Sequence, residues 1–269
     1  MNDGTNNTND AFRLDDKIVV LTGAAGIIGC NVVTTFLQAG ARVLALDVSA
    51  ELLKLKLGQS HETLLTCATD VTRRDSLLKA QAKLHDAWGA AHVLINNAAT
   101  KSANFFEPFE TFPLEDWNEV MGVNLTGAML SAQVFGSPMA ARGSGSIINT
   151  LSIYGIVAPD QRIYEGSEYL GRAINTPAIY AASKAGLWGL TKYLASYWGH
   201  CSVRVNAITP GGIASGQNQT FTENYSRRTP LGRMAETGDM AHAMQYLASD
   251  AAKYVTGHNL VVDGGWTAW

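Results

Sequence analysis

Four tyrosines fall between Leu151 and Gly186, and of these only Tyr180 is followed four residues later by a lysine, Lys184. On a helix, residues i and i+4 share a face, so the phenol and the ammonium would stand side by side. A tyrosine phenol titrates near 10 and is a poor base at neutral pH. A neighbouring cation that lowers it by about 2–3 units supplies roughly 3–4 kcal/mol and makes it an acid/base group. Ser152 precedes this pair in "INTLSIYG". Its hydroxyl could hold an alcohol oxygen against the phenol while the phenolate removes the alcohol proton. A YxxxK string alone is common by chance, and Ser152 alone could be a strand-end hydrogen bonder. The chemistry therefore depends on what else the chain provides.

A glycine-rich turn stands at the other end of the sequence. "KIVVLTG" reads as a strand and runs into "TGAAGIIG", with Gly23, Gly26 and Gly29, before a helical segment from Ile28 to Ala39. Glycines at a strand-to-helix turn let the backbone approach a pyrophosphate, and the free N–H groups and dipole of the helix then face it. Asp47 ends the second apolar run in "ARVLALD". A carboxylate there can accept both ribose hydroxyls of an adenosine and would repel a 2′-phosphate. Neither Val48 nor Ser49 is basic, so the expected cofactor is NAD rather than NADP. Asp70, in "ATDVT", could meet the adenine edge or merely begin the next helix.

These groups need a frame, and the chain alternates strand and helix to supply one. Strands are expected at "KIVVLTG", "ARVLALD", "TLLTCATDV", "AHVLINNAA", "GSIINTLS", "VRVNAITPGG" and "NLVVDGG". Helices are expected at 28–39, after the second strand, at 75–88, around 117–136 and at 178–197. Continuous Val/Ile/Leu strands alternating with helices imply an α/β fold: a doubly wound, seven-stranded parallel sheet of Rossmann type, covered by helices on both faces. No linker divides the series, so residues 13–269 read as one domain after a polar tail, 1–12, expected to be disordered.

With 269 residues, 46% hydrophobic and 16% charged, the chain can bury a large core. The net charge of -3 and dispersed Lys and Arg give no basic field for nucleic acid. Cys30, Cys67 and Cys201 are far apart and form no CxxC pair, and the six histidines are scattered, so no metal site and a reducing compartment are expected. No apolar run approaches a membrane span of about 20 residues. The expectation is a soluble cytoplasmic protein acting on a small molecule.

Taken together, "TGAAGIIG", "NNAA" at 96–99, Asn124 in "VMGVNLTGA", Ser152, "YAASK", "NAITPGG" at 206–212 and "VTGHNLVVDGG" resemble the short-chain dehydrogenase/reductase family in its compact branch. The resemblance spans roughly residues 15–269. It implies an oxidoreductase with Ser152, Tyr180 and Lys184 at the reacting centre and Asn124 anchoring a water relay through the lysine. It also implies a cofactor site built from Gly23, Gly26, Ile27, Ile28, Gly29, Asp47, Asp70, Val71, Asn97, Ala98, Ala99, Tyr180, Lys184, Pro210 and Gly211. Ile213 backbone groups and the Ser215 hydroxyl, where the family usually has threonine, would take the nicotinamide carboxamide. Family members are commonly tetramers, and the aromatic-rich helix 178–198 suits a homotetramer.

Two features depart from the family pattern. Ile27 occupies the usual position of the second glycine, a GxxGxxG spacing shared with the larger extended branch, whose additional C-terminal domain has no counterpart here. The interval from Ser152 to Tyr180 is 28 residues, more than twice the ordinary family interval. The surplus, 159–176, carries Arg162, Tyr164, Glu165, Glu168, Tyr169 and Arg172. It could be a solvated decoration, an oligomer contact or a wall of the substrate pocket; as a wall it suits a sugar-like or anionic substrate. Tyr154, Arg162, Tyr164, Glu165 and Gly212 are the candidate substrate contacts. Residues 214–230, polar and without apolar periodicity, read as a mobile lid. An NADPH-dependent ketone reductase and a catalytically silent NAD-binding protein are the alternatives.

Overall fold

Strict two-residue alternation splits the apolar strands between two cores. In the computed structural model, which describes residues 10–169 and 171–269, seven parallel strands pair in the order β3-β2-β1-β4-β5-β6-β7. They are β1 (Ile18–Thr22), β2 (Arg42–Asp47), β3 (Leu64–Ala68), β4 (Val93–Asn96), β5 (Gly145–Thr150), β6 (Val203–Pro210) and β7 (Asn259–Val262). Val19 and Leu21 of β1 point to one face, where Val32, Val33 and Phe36 of α1 (Ile27–Gln38) meet Met240, Met244 and Leu247 of α7 (Thr237–Ala248). Ile18 and Val20 point to the other, toward Leu77 and Leu84 of α3 (Arg74–Trp88). The short α2 (Ala50–Leu57) links β2 to β3. The doubly wound sheet read from the sequence is the observed one.

The second face is completed by two long helices. Residues 114–142 are helical throughout and are called α4; two stretches of it, Gly122–Thr126 and Ala132–Gly136, are π-helical. Next to it lies α5 (Ala178–Gly199). The strand order reverses between β1 and β4, and in such sheets ligands collect beyond the carboxyl ends of the strands at that point. Ser152, Tyr180, Asp47 and the glycine turn all lie at this end of the sheet.

Two expectations are corrected here. Of the tail, residues 1–9 lie outside the described residues, but Asp10–Phe12 form a 3-10 turn. It is held because the Phe12 carbonyl accepts a hydrogen bond from Gln245 at 2.9 Å. The other is local: the segment 214–230, read as without apolar periodicity, holds a helix, α6 (Gln219–Arg228), capped by Asn218, which accepts from the Phe221 N–H. Its packing stripe consists of Phe221 and Tyr225, two residues four apart in a polar background. Tyr225 stacks on Trp266 with ring centres 4.3 Å apart and planes 19° apart. Trp266, only 1% exposed, thus fixes α6 within its own chain, whereas Trp269 is 72% exposed. Replacing Trp266 by Ala should lower unfolding stability by about 3–5 kcal/mol in urea denaturation; a loss under about 1 kcal/mol would show that this stack is not part of the core.

Candidate active site and cofactor turn

Strand β5 ends at Thr150, and the chain turns at once through a 3-10 segment, Ile153–Gly155. Ser152 caps that turn, its Oγ accepting from the Tyr154 N–H at 3.2 Å. Gly155 lies so close to α5 that a Cβ there would stand 2.9 Å from the carbonyl carbon of Lys184. The turn after Ser152 is therefore seated on the backbone of the helix that carries Tyr180 and Lys184. Ser152 acts on the Tyr180 phenol in the direction that favours its charged form. Lys184, 3% exposed, donates from Nζ to the Thr150 carbonyl at 2.8 Å, and its Nζ lies 5.9 Å from the Tyr180 ring centre.

Burial acts on both titrating groups toward neutrality. It raises the Tyr180 phenol, with Ser152 partly opposing it. Burial also pushes Lys184 down to about 8. In the protein alone, the phenol therefore keeps its proton at neutral pH.

Asn124 sits in the first π-helical stretch, a local widening of the helix. Its Oδ1 accepts from the Thr100 N–H at 3.0 Å, and its Nδ2 donates to Ser183 Oγ at 3.2 Å. Ser183 in turn donates to the Tyr180 carbonyl. Asn124 therefore ties the loop after β4 to the helix turn bearing Tyr180. Behind it runs a buried amide row that the sequence reading missed. Asn96 donates to Asn149 at 2.8 Å, and Asn149 donates to Thr191 at 2.9 Å. The readable signal was an asparagine at the same register position in two paired apolar strands.

At the glycine turn the chain is packed too tightly for side chains. Gly23 has φ +67° and faces Ala98, whose Cα would be 2.8 Å from an added Cβ; at Gly29 an added Cβ would lie 2.2 Å from the Gly23 carbonyl oxygen. Thr22 Oγ1 accepts from the N–H groups of Asn97 and Ala98, both at 3.1 Å, and Asn97 Nδ2 donates to the Gly23 carbonyl. Asn97 and Ala98 thus brace the turn, with Ala99 exposed beyond them. Gly26 caps α1 without any side-chain hydrogen bond, which leaves the helix N-terminus open to an anion. Ile27 is exposed beside it, and Ile28 packs against the core.

Asp47 stands at the tip of β2, accepting from the Ala25 and Ser49 N–H groups at 3.0 and 3.3 Å. Asp70 accepts from the N–H and the hydroxyl of Thr72 through one oxygen, Oδ1. Val71 is buried, and a Cβ on Gly127 would meet it at 2.7 Å. A glycine cradle, an uncapped helix and a carboxylate one strand over suit a dinucleotide. On the nicotinamide side, the groups expected to take the carboxamide are engaged by a side-chain amide: Gln217 donates to the Ile213 carbonyl and to Ser215 Oγ, and accepts from the Ser215 N–H, all within 2.7–2.9 Å. Pro210 closes β6, and Gly211 packs on Asp263.

Residues 23–267 match the family model described as enoyl-(acyl carrier protein) reductase. The chain belongs to the short-chain dehydrogenase/reductase family. It is 33% identical over 264 residues to the D-threitol dehydrogenase of Mycolicibacterium smegmatis, covering 95% of both chains. Among solved structures it resembles a short-chain dehydrogenase from Leptospira borgpetersenii with bound NAD+, at 36% identity and a TM-score of 0.83, covering 96% of this chain and 95% of that one. It also resembles a gluconate 5-dehydrogenase from Burkholderia cenocepacia in complex with NADP and tartrate, at 28% identity and a TM-score of 0.83, covering 97% and 98%. As a short-chain dehydrogenase/reductase, the protein is an oxidoreductase acting on a CH–OH group. Among the described residues, no group of three or more His, Cys, Asp or Glu could hold a metal, and no helix is long and apolar enough to cross a membrane.

In this short-chain dehydrogenase the inserted segment, 159–176, is structured. Asp160 caps a 3-10 turn, Gln161–Tyr164, and Glu168–Tyr169 pair antiparallel with Arg172–Ala173. Leu170 and the side chains of Tyr169 and Arg172 lie outside the described residues. Gln161 exchanges two hydrogen bonds with the backbone of Thr176, closing the segment on itself. Tyr164 bonds Thr176 Oγ1 at 2.5 Å, shares a cluster with Tyr154, and stacks on Phe221 of α6 at 5.5 Å. Tyr154, Tyr164, Tyr180, Tyr225 and Trp266 share one apolar cluster. The Gly212 N–H donates to the Tyr225 hydroxyl, placing Gly212 in the same cluster.

The other two substrate candidates lie outside that cluster. Arg162 pairs with Asp160 at 2.8 Å and faces an open surface pocket of about 410 Å³ with Arg227, Arg228 and Trp269; Glu165 is exposed. Sequence reasoning missed Phe221, Tyr225 and Thr176, whose only signal was their place among polar neighbours.

Lys184 also sets a pH-dependent stability. Its value of about 8 lies below the ordinary 10.5, so the unfolded chain binds the extra proton between those limits and stability rises with pH across that window. Below it the buried charge costs about 3 kcal/mol. Lys184→Met should therefore leave the melting temperature at pH 7 unchanged or raised, and flatten its rise between pH 8 and 10.5. A melting temperature several degrees lower would show that the bond to Thr150 outweighs the burial cost.

Proposed function

We propose that this protein is an NAD-dependent dehydrogenase that oxidises a secondary alcohol on a polar, sugar-like substrate. The observation that carries the reading is the Tyr180 phenol, on which Ser152 acts, with the dry ammonium of Lys184 one helical turn away and 5.9 Å from its ring centre. Ser152 holds the substrate oxygen, and Tyr180 takes the hydroxyl proton through its phenolate. Lys184 stabilises that phenolate by proximity of charge in a site with little water to screen it. Asn124 holds the surrounding loop and helix in register. Bound NAD+ supplies the hydride acceptor.

Asp47 supports NAD over NADP, because its carboxylate suits ribose hydroxyls and stands without a basic residue at 48 or 49. Glycines 23, 26 and 29 with the open end of α1 would hold the pyrophosphate, and Ile213 and Ser215 the carboxamide once Gln217 swings aside. The likeness to a threitol dehydrogenase and a gluconate dehydrogenase supports a polyhydroxylated substrate. The inserted segment with Tyr154, Tyr164 and Gly212 forms one wall of the pocket, and α6 with its flanking residues forms the cover. The same reading makes the enzyme a cytoplasmic homotetramer, to which the exposed Tyr193–Tyr197 stack on α5 would contribute.

A screen of sugars, polyols and hydroxy acids with NAD+ and with NADP+, followed by absorbance of the reduced cofactor, tests the assignment; a strong preference for NADP+ would overturn the role given to Asp47. On the substrate so found, Tyr180→Phe should lose at least about a thousandfold in kcat with the NAD+ Kd within a few fold of wild type. Substantial residual turnover would sink the mechanism. Because burial raises the Tyr180 phenol and oxidation needs it deprotonated, kcat/KM for oxidation should climb with pH into the alkaline range. Reduction of the ketone product needs the protonated phenol and should fall over the same range. Parallel profiles in both directions would exclude Tyr180 as the proton carrier.

A further inference from the structure

Lys101 lies five residues beyond the end of β4, on the rim where the carboxyl ends of the strands meet the site. Its loop is fixed at both ends. The Thr100 N–H is held by Asn124, Asn104 donates to Asp116 at 2.8 Å, and Asn175 from the end of the inserted segment donates to the Phe106 carbonyl at 2.9 Å. The Lys101 ammonium rests over two rings set edge to face, 5.7 Å from the centre of Phe105 and 5.6 Å from that of Phe106. Phe105 is 6% exposed and meets the Tyr180 ring edge-on at 6.1 Å. Lys101 and Tyr180 thus touch the same aromatic ring.

The charge at Lys101 has no opposite charge paired with it among the described residues. Burial lowers its pKa, and no carboxylate opposes the shift; among the described residues no ion pair involves it. Asp116, on α4, is engaged by Asn104. Two aromatic faces hold the ammonium in place by a weak attraction, and an anion reaching its open side would gain a charge-assisted hydrogen bond, the stronger kind. The residue itself is exposed, so a ligand can reach it.

We propose that Lys101 is the anion-binding residue of the substrate pocket, holding a carboxylate or phosphate on a polyhydroxylated chain whose carbinol is oxidised at Tyr180. This rests on the dehydrogenase reading given above and narrows its substrate to an anionic polyol. A lysine serves both anions because it is a compact, rotatable point charge rather than a planar fork.

The test compares gluconate, glucitol 6-phosphate and neutral glucitol as substrates of the full chain with NAD+, in wild type, Lys101→Met and Lys101→Arg. At least one anion should exceed glucitol in kcat/KM by about tenfold or more. Lys101→Met should collapse that ratio mainly through KM, and Lys101→Arg should restore most of it. Glucitol equal to both anions, or an unchanged ratio in Lys101→Met, would overturn the proposal. Calorimetric binding of the two anions to the NAD+ complex of Tyr180→Phe gives a readout independent of turnover. Anion binding that vanishes in the Tyr180→Phe/Lys101→Met double variant, without turnover in wild type, would uphold Lys101 and overturn the dehydrogenase reading. Absence of binding by either anion would overturn Lys101 whatever the enzyme oxidises.

Discussion

The contact on which the site depends is the hydrogen bond from the Lys184 ammonium to the carbonyl of Thr150. It joins the last residue of a central strand to the second turn of a 22-residue helix, and it does so with a group that the protein interior disfavours. Most of what surrounds it follows from that cost. The π-helical stretch of α4 carries Asn124, which bonds Ser183 in the same second turn of α5. The buried amide row from Asn96 to Thr191 fixes the same helix further along, and the short approach at Gly155 removes any slack between them. A cation kept dry beside a phenol is poor for stability and good for moving a proton. This is how strain and function commonly coexist in one place.

The same arrangement explains why the two ends of the chain belong to one site. The glycine turn after β1 is braced by Thr22 and Asn97 from adjacent strands, so the phosphate cradle and the loop carrying Thr100 and Lys101 are parts of one rigid rim. On the far side, α6 and the inserted segment are joined through Tyr164 and Phe221, by Asn218 with Ser167 and Glu168, and by Asn224 with the carbonyls of Ile163 and Glu165. Cover and wall form a unit, and Trp266 anchors that unit to the last strand.

How much of this was legible depended on the kind of signal. The sheet was readable because each strand is a run of apolar residues whose burial needs no partner identity to infer. Tyr180, Lys184 and the glycine turn were readable because spacing alone puts them on one face or one turn. The helix at 219–228 was not, since two aromatics carry its entire apolar stripe and the polar residues around them conceal the period. Arg162 looked like a substrate contact by charge and position, but Asp160 two residues earlier draws it outward. Lys101 gave no sequence signal, because its meaning lies in which rings lie beneath it and which carboxylates are missing nearby, and both are facts of packing.

Gly155 has a consequence for how such a site can change over time. Upstream of the inserted segment, the chain is fixed by that glycine pressing on the backbone of α5; downstream it is fixed by α5 itself. With both ends immobile, the closure entropy of the intervening chain grows only slowly with its length, about 0.6 kcal/mol for each doubling. The interval between Ser152 and Tyr180 is thus a socket. Segments of different length and lining can be seated there while Ser152, Tyr180 and Lys184 on either side keep their geometry, so the surroundings of these residues can change without moving them.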